Sequence, residues 1–222
     1  GLGRLGQNGD ATVASDTTIS VSVYDWDGGG LSETTINSNV DFVLNVGTVD
    51  VGNDLFDGTV NIGAGGSLTV NTTANSWTNS GTVNLQGGSL LGETVINTDT
   101  ITGFGTIGSS LINNGAIAAS GGTLLINTAT SPDIDGNGSP EVGVLSALAG
   151  NLRVVNTLGS YAFDGTMNVG AGRTMTFDSA TIFNGGVLNM TGGTLSLDGL
   201  NQNAEMNVTG ATARVQASTI NF

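Results

Sequence analysis

Phe56-Asp57-Gly58-Thr59-Val60-Asn61-Ile62-Gly63-Ala64-Gly65 returns as Phe163-Asp164-Gly165-Thr166-Met167-Asn168-Val169-Gly170-Ala171-Gly172, 107 residues further along the chain. Eight of the ten positions are identical. The two changes, Val60 to Met167 and Ile62 to Val169, exchange apolar residues of similar size, which is what a buried position tolerates best. The likeness runs on. Ser67-Leu68-Thr69-Val70 matches Thr174-Met175-Thr176-Phe177 at the same offset, and residues 77–85 match residues 182–190 at an offset of 105. Self-similarity over this distance marks a repeat architecture.

Within the long repeat lies a shorter unit: Gly-Thr-apolar-Asn-apolar, a glycine-rich turn, then apolar-Thr-apolar. Its asparagine stands at Asn61, Asn84, Asn168, Asn189 and Asn207, with spacings of 23 in the first group and 21 and 18 in the second. A unit of roughly 20 residues is the size of one solenoid coil. Alternation places the apolar flanks of each asparagine inward and the asparagine outward. Residues 18–23, 43–49, 60–62, 68–70, 83–85 and 124–126 alternate in the same way and read as strands. Thr, Val, Ile, Asn and Gly dominate, and all are poor helix formers.

Stacked coils pair in parallel, and about ten of them at about 4.8 Å each make a rod roughly 50 Å long. Crossovers between parallel strands are right-handed. The expected fold is therefore all-β, a right-handed parallel β-helix (β-solenoid) with coils of about 20 residues. It is expected to form a single body over residues 1–222, with two related arrays at about 45–107 and about 152–214. Five coils per 107 residues reconcile the two periods. Three stretches break the rhythm. Residues 24–30 read as a loop. Residues 131–143 hold both prolines and read as a loop excursion. Residues 144–148, with an alanine among them, are compatible with one helical turn.

Composition narrows the function classes. Of 222 residues only 10% are charged, 37 are Gly and 2 are Pro; Cys, His and Lys are absent, and the cations are Arg4, Arg153, Arg173 and Arg214. The net charge of −14 repels a nucleic acid backbone and an anionic membrane surface alike. No apolar run reaches the length of a membrane-spanning helix, so no membrane insertion is expected. The opening Gly1-Leu2-Gly3-Arg4 does not read as a signal peptide; it reads as a processed chain or a segment of a longer one.

Gly103-Phe104-Gly105-Thr106-Ile107, then Asn114-Gly115-Ala116-Ile117 and Gly122-Thr123-Leu124-Leu125-Ile126 resemble the repeats of bacterial autotransporter passengers and related large surface adhesins. The resemblance extends in style over most of residues 45–220. It implies a secreted β-solenoid on a bacterial surface and carries no catalytic motif.

Asp133-Ile134-Asp135-Gly136-Asn137-Gly138-Ser139-Pro140-Glu141 is the candidate metal site. Asp133, Asp135, Asn137 and Ser139 place oxygen ligands at alternate positions, with Gly138 permitting a sharp bend, as in the first half of a calcium loop. Val144 stands where a bidentate carboxylate is needed, and Glu141 is the substitute. The plainer reading is a solvated acidic turn. Asp25 and Asp27 beside Trp26 are compatible with a sugar contact, although a loop with a partly buried Trp explains them as well. Trp77 aligns with Ile182 and reads as core. Gly63-Ala64-Gly65-Gly66 lacks the following Lys of a phosphate loop and reads as a turn between coils. Asp57 and Asp164 are equivalent points of the two arrays, expected some five coils apart, and the sequence does not pair them as catalytic carboxylates. An ice-binding ladder of Thr is not evident from the irregular spacing.

The chain is thus expected to be no enzyme but a structural or adhesive segment of a bacterial extracellular surface fibre. Its partners would be further copies stacked end to end, or host or matrix glycans, with calcium as the one conceivable cofactor. The alternative is a carbohydrate-binding or polysaccharide-cleaving β-helix.

Overall fold

The computed structural model describes residues 4–6, 11–21, 23–25, 33–46, 58–72, 75–128, 133–134, 143–155, 160–178, 181–202 and 205–221. Among the described residues there is no helix, and every strand ladder is parallel. The chain is a parallel β-helix with three faces.

Ten strands stack along the first face. In order they are Ala11–Val13, Glu33–Ile36, Thr59–Gly63, Thr82–Gly92, Thr100–Ile107, Ala116–Asn127, Val144–Val155, Thr166–Val169, Val187–Met190 and Met206–Val208. Nine steps of about 4.8 Å make this stack roughly 43 Å tall. The four long strands bend round a corner, so their second halves continue the second face. Thr82–Gly92 pairs at its start with Thr59–Gly63 and at its end with Ser67–Thr72. The third face holds Ser76–Asn79, Thr94–Asn97 and Leu111–Asn113, and further along Ser160–Phe163, Thr181–Asn184, Gly199–Gln202 and Thr219–Asn221.

The apolar residues flanking each outward Asn form columns inside. Val60, Val83, Ile101, Ile117, Leu145, Met167 and Leu188 are successive register partners and all are buried. Val60 and Met167, the exchanged pair of the ten-residue repeat, thus occupy one column five coils apart. Each buried side chain of this kind contributes about 1.5–3 kcal/mol through the water it leaves.

The coils are not equal. Between register partners Thr59, Thr82, Thr100, Ala116, Val144 and Thr166 the steps are 23, 18, 16, 28 and 22 residues. Together they make up the 107-residue offset, the 28-residue coil compensating the 16-residue one. Coil length is free to vary because only the strands and their inward columns need to superimpose. The corners between them do not.

Two local expectations are corrected. Val144-Leu145-Ser146-Ala147-Leu148 is not a helical turn but the start of the strand Val144–Val155, with Leu145 and Ala147 buried and Val144 and Ser146 half-buried. Both neighbouring coils offer it a ladder, and a weak helical preference over five residues cannot compete with that. Gly63-Ala64-Gly65-Gly66 is a turn within a coil, joining Thr59–Gly63 on the first face to Ser67–Thr72 on the second. It does not join one coil to the next. Gly65 has φ +71° and its repeat equivalent Gly172 has φ +69°. The left-handed residue that closes this corner explains why both copies of the repeat keep a glycine there.

A second asparagine ladder runs inside. Asn79, Asn97 and Asn113 are register partners at the end of the third face, and each is fully buried. Asn79 Nδ2 donates to Asn97 Oδ1 at 2.7 Å, and Asn97 Nδ2 donates to Asn113 Oδ1 at 2.7 Å. Asn113 Nδ2 donates to the carbonyl of Ile134 at 3.1 Å. Because a carbonyl only accepts, that last bond fixes the direction of all three amides. Asn79 and Asn97 also donate to the carbonyls of Thr100 and Ala116, at 3.2 and 3.3 Å, and so hold the corner that leads back to the first face.

Candidate functional site

The outward side of the first face is a two-column array. The asparagines of the short unit meet there in register. Asn84 Nδ2 donates to Asn61 Oδ1, Asn189 Nδ2 to Asn168 Oδ1 and Asn207 Nδ2 to Asn189 Oδ1, each at 2.9 Å. Asn168 Nδ2 reaches Ser146 Oγ at 3.2 Å, and Thr102 Oγ1 donates to the carbonyl of Ala118 at 3.1 Å. The expected outward placement of these asparagines is therefore seen, but they bond to one another; Asn84, Asn168 and Asn189 are half-buried, Asn207 is exposed, and Asn61 is buried under its neighbours. From Thr59 to Asn189 the two outward columns hold only Thr, Asn, Ala, Val and Ser. The next coil brings Glu205.

At the corner between the first and second faces stands Phe104, 38% exposed. It pairs in register with Gln86 of the coil before, which is exposed too. Glycines make room for the ring. A Cβ at Gly87 would lie 3.1 Å from ring carbon Cε2, and one at Gly122 would lie 3.0 Å from Cγ. Sequence reasoning missed Phe104 because Gly103-Phe104-Gly105 reads as part of a repeat and its partners lie one coil away on either side. It also missed Asn79, Asn97 and Asn113. Their signal was an asparagine three residues ahead of each of the first-face starts Thr82, Thr100 and Ala116.

The predicted calcium loop is only partly described. Asp133 sits in the solenoid wall: its N–H donates to the carbonyl of Leu111, and its carbonyl accepts from the N–H of Asn113. Ile134 is buried and caps the inner asparagine ladder. Asp135, Asn137, Ser139 and Glu141 lie outside the described residues. Among the described residues no group of three or more His, Cys, Asp or Glu is arranged to hold a metal ion. Asp25 ends the strand Val23–Asp25, whereas Trp26 and Asp27 lie outside the described residues, as does Asp57. Asp164 is exposed in the turn before Thr166–Val169. Trp77 is buried in register with Val95, as expected of a core residue.

Arg153 forms a surface ion pair on the second face. Its Nη2 lies 2.6 Å from Asp178 Oδ2, and its Nε donates to the same oxygen at 2.9 Å. The hydrogen bond and charge of Asp178 raise the pKa of Arg153 further above its ordinary value. With Arg153 exposed and Asp178 only half-buried, the pair adds little to stability.

No protein-family model, curated protein or solved structure matches the chain.

Proposed function

We propose that the chain is a structural and adhesive segment of a bacterial extracellular surface fibre. The observation that carries this reading is the uninterrupted stack of ten in-register strands over a continuous apolar interior. Such a body resists bending because the first-face stack bonds each coil to the next and the second and third faces add further parallel ladders. The repeats resembling autotransporter passengers and surface adhesins point the same way.

The coil built from Met206–Val208, Arg214–Gln216 and Thr219–Asn221 supports end-to-end stacking. Its Val208 is 49% exposed and its Ile220 38%, although both lie over buried columns. Open strand edges over an apolar column favour pairing with another copy. Negative-stain electron microscopy of the purified chain in calcium-containing buffer tests this. Filaments of constant width are expected if copies stack, and separate straight rods if they do not. Round particles with no long axis would overturn the fibre reading.

A second reading, carbohydrate binding, has a specific observation in its favour: the uncharged first face with an exposed aromatic ring at its edge.

A further inference from the structure

We infer that the first face, with Phe104 at its edge, is a binding site for a neutral, hydroxyl-rich polysaccharide. This rests on the adhesive reading and gives it a ligand class and a surface.

Charge is the first ground. The chain carries −14, yet seven successive coils of this face present no ionisable side chain. The nearby acids Asp99 and Asp164 sit in turns ahead of the strands, along the edge away from Phe104. An anionic polymer would be repelled by the whole molecule. A cationic partner would find its attraction on the corners and the other faces. A neutral polymer meets no electrostatic barrier here and needs no counter-charge.

Hydrogen-bonding capacity is the second ground. Asn168 and Asn189 each use one N–H and one oxygen lone pair in the ladder, and an amide has two of each. Their second donor and acceptor face outward on successive coils, and Thr102 and Ser146 continue the column towards Phe104 with hydroxyls. Sugar hydroxyls both donate and accept, so they match such a row without preference for sign. Gln86, whose Nε2 lies 3.4 Å from Asn61 Oδ1, brings a further amide next to the ring, and exposed Ser120 brings a hydroxyl.

The ring is the third ground. Phe104 is flanked by Gly103 and Gly105 in its own coil and bracketed by Gly87 and Gly122 in the adjacent ones. Side chains at Gly87 and Gly122 would crowd it. Their absence leaves an aromatic ring held against backbone and partly open to solvent. An aromatic face is electron-rich and attracts the weakly positive C–H bonds on the apolar face of a pyranose. An anchor of this kind beside polar groups is the usual build of a recognition hot spot.

Affinity electrophoresis tests the proposal, with gels containing galactomannan, mixed-linkage β-glucan or dextran, and alginate as the anionic control. The chain is expected to be retarded by at least one neutral polymer and not by alginate. Phe104→Ala and Phe104→Leu should each weaken binding by about tenfold or more, the scale of an aromatic hot spot. Phe104→Trp should retain it, and Arg153→Gln on the second face should leave it unchanged. Circular dichroism confirms that each variant keeps the β fold. Retardation by none of the neutral polymers, or retardation indifferent to Phe104, overturns the site. So does Phe104-dependent self-association in sedimentation with no glycan binding, which would give the face to a second copy. Straight rods in micrographs without glycan retardation would leave the fibre reading standing and remove the site. Phe104-dependent retardation by round particles would do the reverse.

Discussion

Replacing Asn97 by Ala tests the inner ladder. Asn97 has no exposed surface and sits between two partners at 2.7 Å. The substitution removes both ladder bonds, worth about 1 kcal/mol each net, together with the longer contacts to the carbonyls of Ala116 and Asp99 at 3.3 and 3.4 Å. It also strands Asn113 Oδ1, whose donor is gone, at a cost of about 1–3 kcal/mol for a buried acceptor. Asn79 Nδ2 loses less, since it still reaches the carbonyl of Thr100 at 3.2 Å. The total is roughly 3–5 kcal/mol. Asn168→Ala in the outer ladder removes a comparable pair of contacts, at 2.9 and 3.2 Å, but water can take their place, so the loss is roughly 0.5–1.5 kcal/mol. Urea unfolding followed by far-ultraviolet circular dichroism compares the two. Asn97→Asp adds a sign test. Only a protonated carboxyl can donate to Asn113 Oδ1 while accepting from Asn79 Nδ2, and burial disfavours the charge as well, so its folded pKa is raised above the ordinary value of about 3.9. The folded state then binds more protons than the unfolded one. Stability is fully present below about pH 3.9 and falls as pH rises towards the folded pKa, by up to about 1.36 kcal/mol per pH unit. The reasoning is refuted if Asn97→Ala costs no more than Asn168→Ala, or if the Asn97→Asp variant grows more stable from acid to neutral pH.

Two further outcomes are expected. Gly172→Ala should cost about 1–2 kcal/mol in urea unfolding, the left-handed penalty alone, since no other atom comes within 4 Å of the added Cβ. Gly65→Ala should cost about the same, because at nearly the same φ its Cβ meets only the far end of the exposed Asn39 side chain, which can swing away; a clearly larger cost would mean that Asn39 is held in place. If Asp133, Asp135, Asn137, Ser139 and Glu141 hold calcium, a calcium level of about 100 times Kd stabilises by about 2.7 kcal/mol, chelator lowers Tm, and Asp133→Asn removes the difference. An unchanged Tm on chelation disposes of that site.

The fold was legible because its inward columns are written as alternation. Thr59-Val60-Asn61-Ile62 and Thr82-Val83-Asn84-Leu85 name their faces without any knowledge of neighbours. Residues 144–148 were less legible, because alanine and leucine suit helix and strand alike and only the coils on either side decide. The inner asparagines were hidden by chemistry: Asn79, Asn97 and Asn113 each precede a turn, where asparagine is common for local reasons. Phe104 was hidden by geometry, since its surroundings come from residues 87 and 121–122, which are remote in sequence. The outward ladder was visible as a spacing, but its mutual hydrogen bonds depend on register, which spacings of 23, 21 and 18 do not reveal.

The unequal coils separate two quantities that most folds tie together. The step from Thr100 to Ala116 uses 16 residues and that from Ala116 to Val144 uses 28, yet each raises the stack by the same single strand spacing, about 4.8 Å. Reach is counted in coils, and bulk at the rim is counted in residues. A lineage can therefore lengthen this body by duplicating a whole coil without changing its girth. It can also lengthen one coil by insertion, as in the 28-residue step from Ala116 to Val144, without changing its height. Height and girth are thus independent variables of this body, which is why a 107-residue echo survives across coils of unequal length.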